Sequence, residues 1–244
     1  MENTKSRGLN SNQLKMIAII AMTLDHVMFV LYPNYSTAWW IVGCHVLGRL
    51  AAPIMWFFIA EGYFYTHNVK RYIGRLLVFA VISHFAYNFA FGIPFIPFQK
   101  SILDQTSVIW SLAWGLVALV VSYSSKLSNW TKYALITIIC AITFPANWSC
   151  IAVLAIMAIA FNRNNFKKQM TGMMCWATVY AVVYFLFINR VYGMLQLFVA
   201  LSIPLLKAYN GQRGKWKGMK WFFYIYYPLH LTVCGMIRVT LYGI

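Results

Sequence analysis

Asp25 and His26 stand side by side inside the apolar run Leu14 to Tyr32, whose 19 residues have Lys15 and Thr23 as their other main polar members. The chain carries only four acidic residues in 244, so an acid and an imidazole at this position ask for a chemical reason. Ionisable groups within apolar spans are costly, face the bundle interior and need partners. A helical rise of about 1.5 Å per residue puts Asp25 roughly 16 Å, His84 roughly 18 Å and His230 roughly 15 Å into their spans. Arg49, ten residues into a span that runs the other way from Trp39, reaches the same layer. Four spans therefore bring ionisable groups to one depth, while Glu61 falls near the far end of the span that carries Arg49.

Neighbouring helical residues point about 100° apart, so Asp25 cannot orient its own neighbour His26 face to face. One of them handles a proton and the other is tied to a group such as Arg49 or His230. Histidine is the natural base near neutral pH. The sequence has no G-x-S-x-G elbow, no P-loop and no H-E-x-x-H pair. The chemistry that fits is proton transfer or acyl transfer without a metal. Arg49 either neutralises Asp25 and joins two helices or stabilises a developing oxyanion, an effect that is strong where water is scarce. His84 reads as a hydrogen-bonded packing residue. His45 and His67 lie towards span ends and receive no role, and Trp221, Tyr226 and Tyr227 fit interfacial anchors or packing.

The elements that must hold these groups are membrane helices. Hydrophobic residues make up 61% of the chain, charged residues only 10%, and mean hydropathy is +0.65, far from a soluble domain. Apolar runs close to membrane-crossing length recur at 14–32, 38–60, 72–92, 107–123, 132–145, 148–161, 173–189, 191–206 and 220–241. The fold expected is an all-α, polytopic integral membrane bundle of about nine helices. The fifth and sixth runs, separated only by "FPANWS", could instead be one broken helix, which leaves a count of eight or nine. No repeat or low-complexity linker divides the chain, so residues 1–244 read as one integral domain with a short cytoplasmic segment at 1–13.

The net charge of +16 follows topology and does not imply a nucleic-acid partner. With the N-terminus in the cytoplasm, sixteen of the twenty lysines and arginines fall on the inner side, and only Lys100 and Arg190 lie in outer loops. Positive charge collects inside, so the C-terminus is expected outside. The first span is too long for a cleavable signal. Cys44, Cys140, Cys150, Cys175 and Cys234 are scattered through apolar windows without C-x-x-C spacing, and read as packing residues.

With these residues in view, the chain resembles the TraX family of membrane proteins, named for a conjugation protein associated with pilin N-acetylation. The resemblance lies in "LKMIAIIAMTLDHVMFVLYP", in "LGRLAAPIMWFFIAEGYFYTHNVKRYIGRLLVFAVISH", weakly in "SVIWSLAWGLVAL", and again in "FFYIYYPLHLTVCGMIR". It implies a multi-pass acyltransferase of the bacterial cytoplasmic membrane that takes acetyl-CoA from the cytoplasm and needs no metal. The family motifs carry onto Asp25, His26, Arg49, Pro53, Glu61, Gly62, Tyr227, Pro228 and His230. Two positions depart from the pattern: Asn147 stands where the family often has an acid, and Ser107 where an asparagine is expected.

On this reading Asp25 and His26 are the catalytic pair, with His26 (or His230) as the base. Arg49, Glu61, Tyr227 and His230 support the site or bind substrate. Arg71, Arg75, Lys215 and Lys217 offer cations for the phosphates of coenzyme A. The acceptor is an amine or hydroxyl of a protein, a surface glycan or a small molecule, reached at or across the membrane, with membrane lipids as the other partners. Two competing functions use the same polar layer differently: a proton-coupled transporter, and a non-catalytic membrane assembly component.

Overall fold

The computed structural model describes residues 8–96, 99 and 104–243. Lys5, Arg7 and Lys100 of the charge count, residues 1–7 of the N-terminal segment and most of the loop at 97–103 lie outside the described residues. Helices occupy α1 (Ser11–Leu31), α2 (Trp39–Gly48), α3 (Ala51–Tyr65), α4 (Val69–Phe91), α5 (Val108–Tyr123), α6 (Asn129–Thr143), α7 (Ser149–Phe161), α8 (Phe166–Phe187), α9 (Arg190–Leu195), α10 (Ser202–Lys207) and α11 (Met219–Tyr242). A 3₁₀ stretch, Gln196–Leu201, joins α9 to α10.

Every expected span is a helical segment. The runs Ser11–Leu31, Trp39–Tyr65, Val69–Phe91, Phe166–Phe187 and Arg190–Lys207 are long and apolar enough to cross a membrane, with shorter apolar helices at Val108–Tyr123 and Ser149–Phe161. The protein is a polytopic helical membrane protein. The ambiguous pair resolves as two helices: "FPANWS" turns the chain between α6 and α7, with Trp148 and Ser149 in left-handed backbone. Pro145 cannot continue the helix begun in α6.

Burial follows composition. In α7 the sequence SCIAVLAIMAIAF is apolar on all sides, and the helix packs among α3, α5, α6 and α8, as an all-round hydrophobic helix should. The outer helices instead leave apolar stripes bare. Ile225, Leu229, Val233 and Met236 are exposed along one face of α11, and Val78, Val81, Ile82 and Phe85 along one face of α4. Such contiguous apolar faces fit a hydrocarbon environment and not water.

Two local features set the geometry inside. The span 39–65 is broken at Arg49 and Leu50. Pro53 explains the break: its ring clashes with the carbonyl four residues earlier, at Arg49, and it has no N–H to donate there. At the end of the bundle rich in lysine and arginine, the start of α1 is sealed by a capping box between Asn10 and Gln13. The segment before it pairs with the chain after α10, through Leu9 N–H to Ala208 O (2.8 Å) and Asn210 N–H to Leu9 O (3.0 Å). Ser11 then bonds Arg213 O through its hydroxyl at 2.9 Å. This pairing fixes which cations of the loop before α11 turn inward.

The alternation of helices puts the connections near 66–68, 162–165 and 208–218 at the basic end and that at 32–38 at the opposite end. Single cysteines introduced at 67, 164 and 211 into a cysteine-free background should react with an impermeant maleimide only from the cytoplasmic face, and one at 34 only from the outer face. The reverse pattern would contradict the orientation drawn from the charge distribution.

Candidate functional site

The site grows from the break at Arg49. Gly48, immediately before it, lies against Asp25 of α1: a Cβ there would overlap the Asp25 side chain. The glycine lets α1 and α2 approach closely enough for Arg49 Nη2–H to donate to Asp25 Oδ1 at 2.5 Å. His45, one helical turn before Arg49, donates from Nδ1 to the same oxygen at 2.8 Å, and Arg49 Nη1–H reaches Gln196 at 3.1 Å. Arg49 Nε–H also donates to His45 O at 3.2 Å, so the guanidinium locks its own helix end. The G-R-x-x-x-P pattern thus has a physical meaning: close approach, a buried cation and a helix break. Three of the five guanidinium N–H donors are used in these bonds, leaving one on each terminal nitrogen.

His26 turns away from this network, as the 100° offset requires. Its Nδ1 lies 2.9 Å from Nε2 of His230. His230 Nδ1 lies 3.0 Å from Tyr226 O. A carbonyl only accepts, so His230 carries its proton on Nδ1; with His230 neutral, its Nε2 is an acceptor and His26 donates from Nδ1. His26 Nε2 is left with a lone pair and no hydrogen-bond partner among the described residues. The ring is steadied by the Tyr227 and Phe91 rings, edge-on at 6.4 Å and 5.6 Å.

Asp25, His26, Arg49 and Tyr227 line one cavity of about 320 Å³. Aromatic residues form much of its wall: Trp148 stacks on Tyr180 at 4.7 Å and meets Trp56 edge-on at 4.9 Å, while Tyr35 and Tyr192 close the side near His45. Asp104, from the connection before α5, also lines it. The α6–α7 turn holds this segment by Gln105 N–H to Pro145 O (2.7 Å) and Asn147 N–H to Thr106 O (2.9 Å). Asn147 Nδ2 then donates to Asp104 at 3.4 Å and to the Tyr87 hydroxyl at 3.3 Å. Burial pushes the Asp104 carboxyl up to about 6, against the pull of the Arg49 charge and the Asn147 amide.

A second cavity of about 700 Å³ opens at the basic end. Arg71, Arg75 and Glu61 line it, together with Lys15, Arg213 and Lys220. Glu61 accepts from Arg163 at 3.3 Å, which removes its charge from the balance and leaves the cavity strongly cationic. Lys215 and Lys217 line neither cavity. The backbone pairing of residues 9–11 with 208–213 brings Arg213 inward in their place. Met55, Ile109, Leu112 and Phe223 line both cavities. An apolar partition therefore stands between a polar, aromatic chamber and a cationic one.

The family profile described as "TraX protein" matches residues 10–238. This chain belongs to the TraX family. A TraX-family chain of this length is covered almost throughout, including both chambers. A relative from Dichelobacter nodosus, named "Probable fimbrial assembly protein FimC, serogroup H1", is 32% identical over 240 residues, which are 94% of this chain and 96% of the relative. No solved structure matches the chain significantly.

The structure of this TraX-family member therefore gathers Asp25, His26, Arg49, Tyr227 and His230 at one place and sets Glu61, Arg71 and Arg75 at another. His84 bonds Phe95 O from Nε2 at 2.9 Å and lines neither cavity. Sequence reasoning missed His45, Gln196 and Asp104. The i, i+4 spacing of His45 and Arg49 was the available signal, since both then share a helix face. Among the described residues no group of three or more His, Cys, Asp or Glu is disposed to hold a metal ion.

The Asp25–Arg49 pair is largely buried, with side-chain exposures of 16% and 15%. Removing one partner of a buried pair costs about 3–5 kcal/mol because the other is left uncompensated. Arg49→Met should lower the thermal unfolding temperature in detergent sharply, and Asp25→Asn combined with Arg49→Met should recover much of the loss. Equal destabilisation by the single and double variants would contradict the pairing.

Proposed function

We propose that this chain is a membrane acyltransferase that carries an acetyl group from acetyl-CoA, bound at the basic end, to an amine or hydroxyl acceptor in the aromatic chamber. The observation that carries this reading is the pair of chambers meeting at four apolar side chains, one suited to phosphates and the other to a base. The fimbrial assembly name of the Dichelobacter relative supports an acceptor that is a surface-assembled protein, and a place in the bacterial cytoplasmic membrane. The concentration of positive charge supports the basic end as the cytoplasmic one.

The inner chamber fits the donor by chemistry. Lys15, Arg71, Arg75, Arg213 and Lys220 surround it, which suits several phosphate charges, and Tyr65 and Tyr72 offer ring faces for an adenine. Acetyl-CoA supplies an activated acyl group whose carbon–sulfur bond breaks as the new bond to the acceptor forms. Met55, Ile109, Leu112 and Phe223 must part to let the thioester arm through, and the unbranched Met55 is the most adaptable of them.

In the outer chamber His26 Nε2 takes the proton of the acceptor nucleophile as it attacks the acyl carbon. The bond from Nδ1 to His230 fixes the tautomer that leaves Nε2 basic, a positioning role. Arg49 turns its remaining N–H donors to the oxygen that gains charge, while Asp25 and His45 keep the guanidinium in place. His26 then returns the proton to the departing sulfur. Proton and charge balance within the site, and no metal is required.

His26→Ala should reduce acetyl transfer from labelled acetyl-CoA by at least a hundredfold, with expression, monodispersity and coenzyme A binding unchanged. General-base contributions of about 10²–10⁴ set that scale. His84→Ala should keep turnover close to the starting protein. Full activity in His26→Ala would overturn the assignment of the base, and acetyl-independent solute flux in liposomes would favour a transporter instead.

Leu112→Trp tests the partition directly. It should block transfer while nucleotide binding at the basic end persists, as measured by binding of 3′-phosphoadenosine 5′-diphosphate. Undiminished transfer with a tryptophan in the partition would rule out a route between the chambers.

A further inference from the structure

Among the acidic side chains of the described residues, Asp25 has Arg49 and His45, and Glu61 has Arg163. Asp104 alone forms no ion pair there, yet it lines the aromatic chamber beside the open volume. Its single side-chain bond is the long one from Asn147 Nδ2. A carboxylate withdrawn from water normally meets a cation or several donors. Among the described residues Asp104 has one side-chain donor and no ion pair, and feels the Arg49 charge only from a distance.

The surrounding groups say what kind of cation fits. Asn147 spends its N–H₂ on Asp104 and on Tyr87, which leaves its carbonyl oxygen as an acceptor. The Tyr87 oxygen accepts as well. Trp148 and Tyr184 line the same chamber, and aromatic faces attract an organic cation. One carboxylate, one amide and a phenol are too few oxygen ligands for calcium and a poor match to magnesium. Three acceptors around an apolar, aromatic volume match the three N–H donors of a primary ammonium.

We infer that Asp104 is the acceptor-binding residue that selects a primary amine over a hydroxyl, by receiving its ammonium group between Asn147 and Tyr87. The inference rests on the acyl-transfer reading for the step that follows binding. The bound ammonium first passes one proton to the Asp104 carboxylate, from which solvent water removes it. The neutral nitrogen then forms the bond to the acyl carbon, its second proton goes to His26 Nε2, and from there to the sulfur as the carbon–sulfur bond breaks. Asp25 cannot serve in place of Asp104, because its charge is already committed to Arg49 and His45.

The test uses two probes that differ only at the head group, 2-phenylethylamine and 2-phenylethanol, with the full chain in lipid nanodiscs. Calorimetric binding should favour the amine at least tenfold in the starting protein. Asp104→Asn should abolish that preference, and Asp104→Glu should retain it, both with unchanged coenzyme A binding at the basic end. Loss of coenzyme A binding in the Asn variant would mark a folding defect, and the Glu variant then decides: amine preference kept supports the site, and preference lost overturns it. Equal binding of the two probes by the starting protein, or an undiminished preference in Asp104→Asn, would also overturn it. Amine binding that depends on Asp104 without any acetyl transfer to the amine would instead leave this site standing and remove the acyltransferase reading.

Discussion

The buried carboxylate of Asp25 governs the arrangement of this protein. An ionised acid at that depth must be compensated, and the chain does so with Arg49 and His45 from one helix face and with a glycine that removes the side chain between them. Pro53 breaks the same helix at the residue that supplies the cation. Close approach, charge and break are encoded within six residues, Gly48 to Pro53. The consequence reaches beyond stability, because tying Asp25 on one side frees His26 to face another partner. A paired acid thus acts as the anchor of α1, and its neighbour His26 is left to pair with His230.

The second consequence is a division of the interior. Polar and aromatic residues cluster where Asp25 and His26 sit, and cations cluster at the basic end. Met55, Ile109, Leu112 and Phe223 keep the two apart. Under the proposed acyl transfer, such a wall keeps water from the acyl group until its side chains part for the narrow thioester arm. Under the same proposal it separates the donor's phosphates from the carboxylates of Asp25 and Asp104, whose like charge would oppose them.

Much of this was legible in the sequence for clear reasons. Membrane helices advertise themselves through long apolar windows, so each expected span overlaps a helical segment. Even so, α8 begins at Phe166, ahead of the run at 173–189, and the run at 38–60 reaches Tyr65 with a break at Arg49. Depth along a helix is a linear quantity, which is why Asp25, Arg49 and His230 could be placed in one layer. Depth says nothing about which way a side chain faces, however. His84 shares the layer and lines neither chamber, whereas His45, set aside because it lay near a span end, is fully buried on the Arg49 face. Loops were the least legible part. The inward turn of Arg213 instead of Lys215 and Lys217 depends on backbone pairing between residues 9–11 and 208–213. The setting of Asp104 depends on the α6–α7 turn folding over it. Neither leaves a periodic trace, because contacts between segments far apart in the chain have no local spacing.

In the proposed reaction an acyl group passes from the cationic chamber at the basic end to the aromatic chamber beyond the partition. Sidedness measures this most directly. The protein would be reconstituted in liposomes with uniform orientation, labelled acetyl-CoA confined to the face carrying the basic loops and 2-phenylethylamine confined to the other. Acetylated amine should accumulate on the acceptor side and free coenzyme A on the donor side, with little product when the two compartments are exchanged. Product formed only when both compounds share one compartment would contradict it.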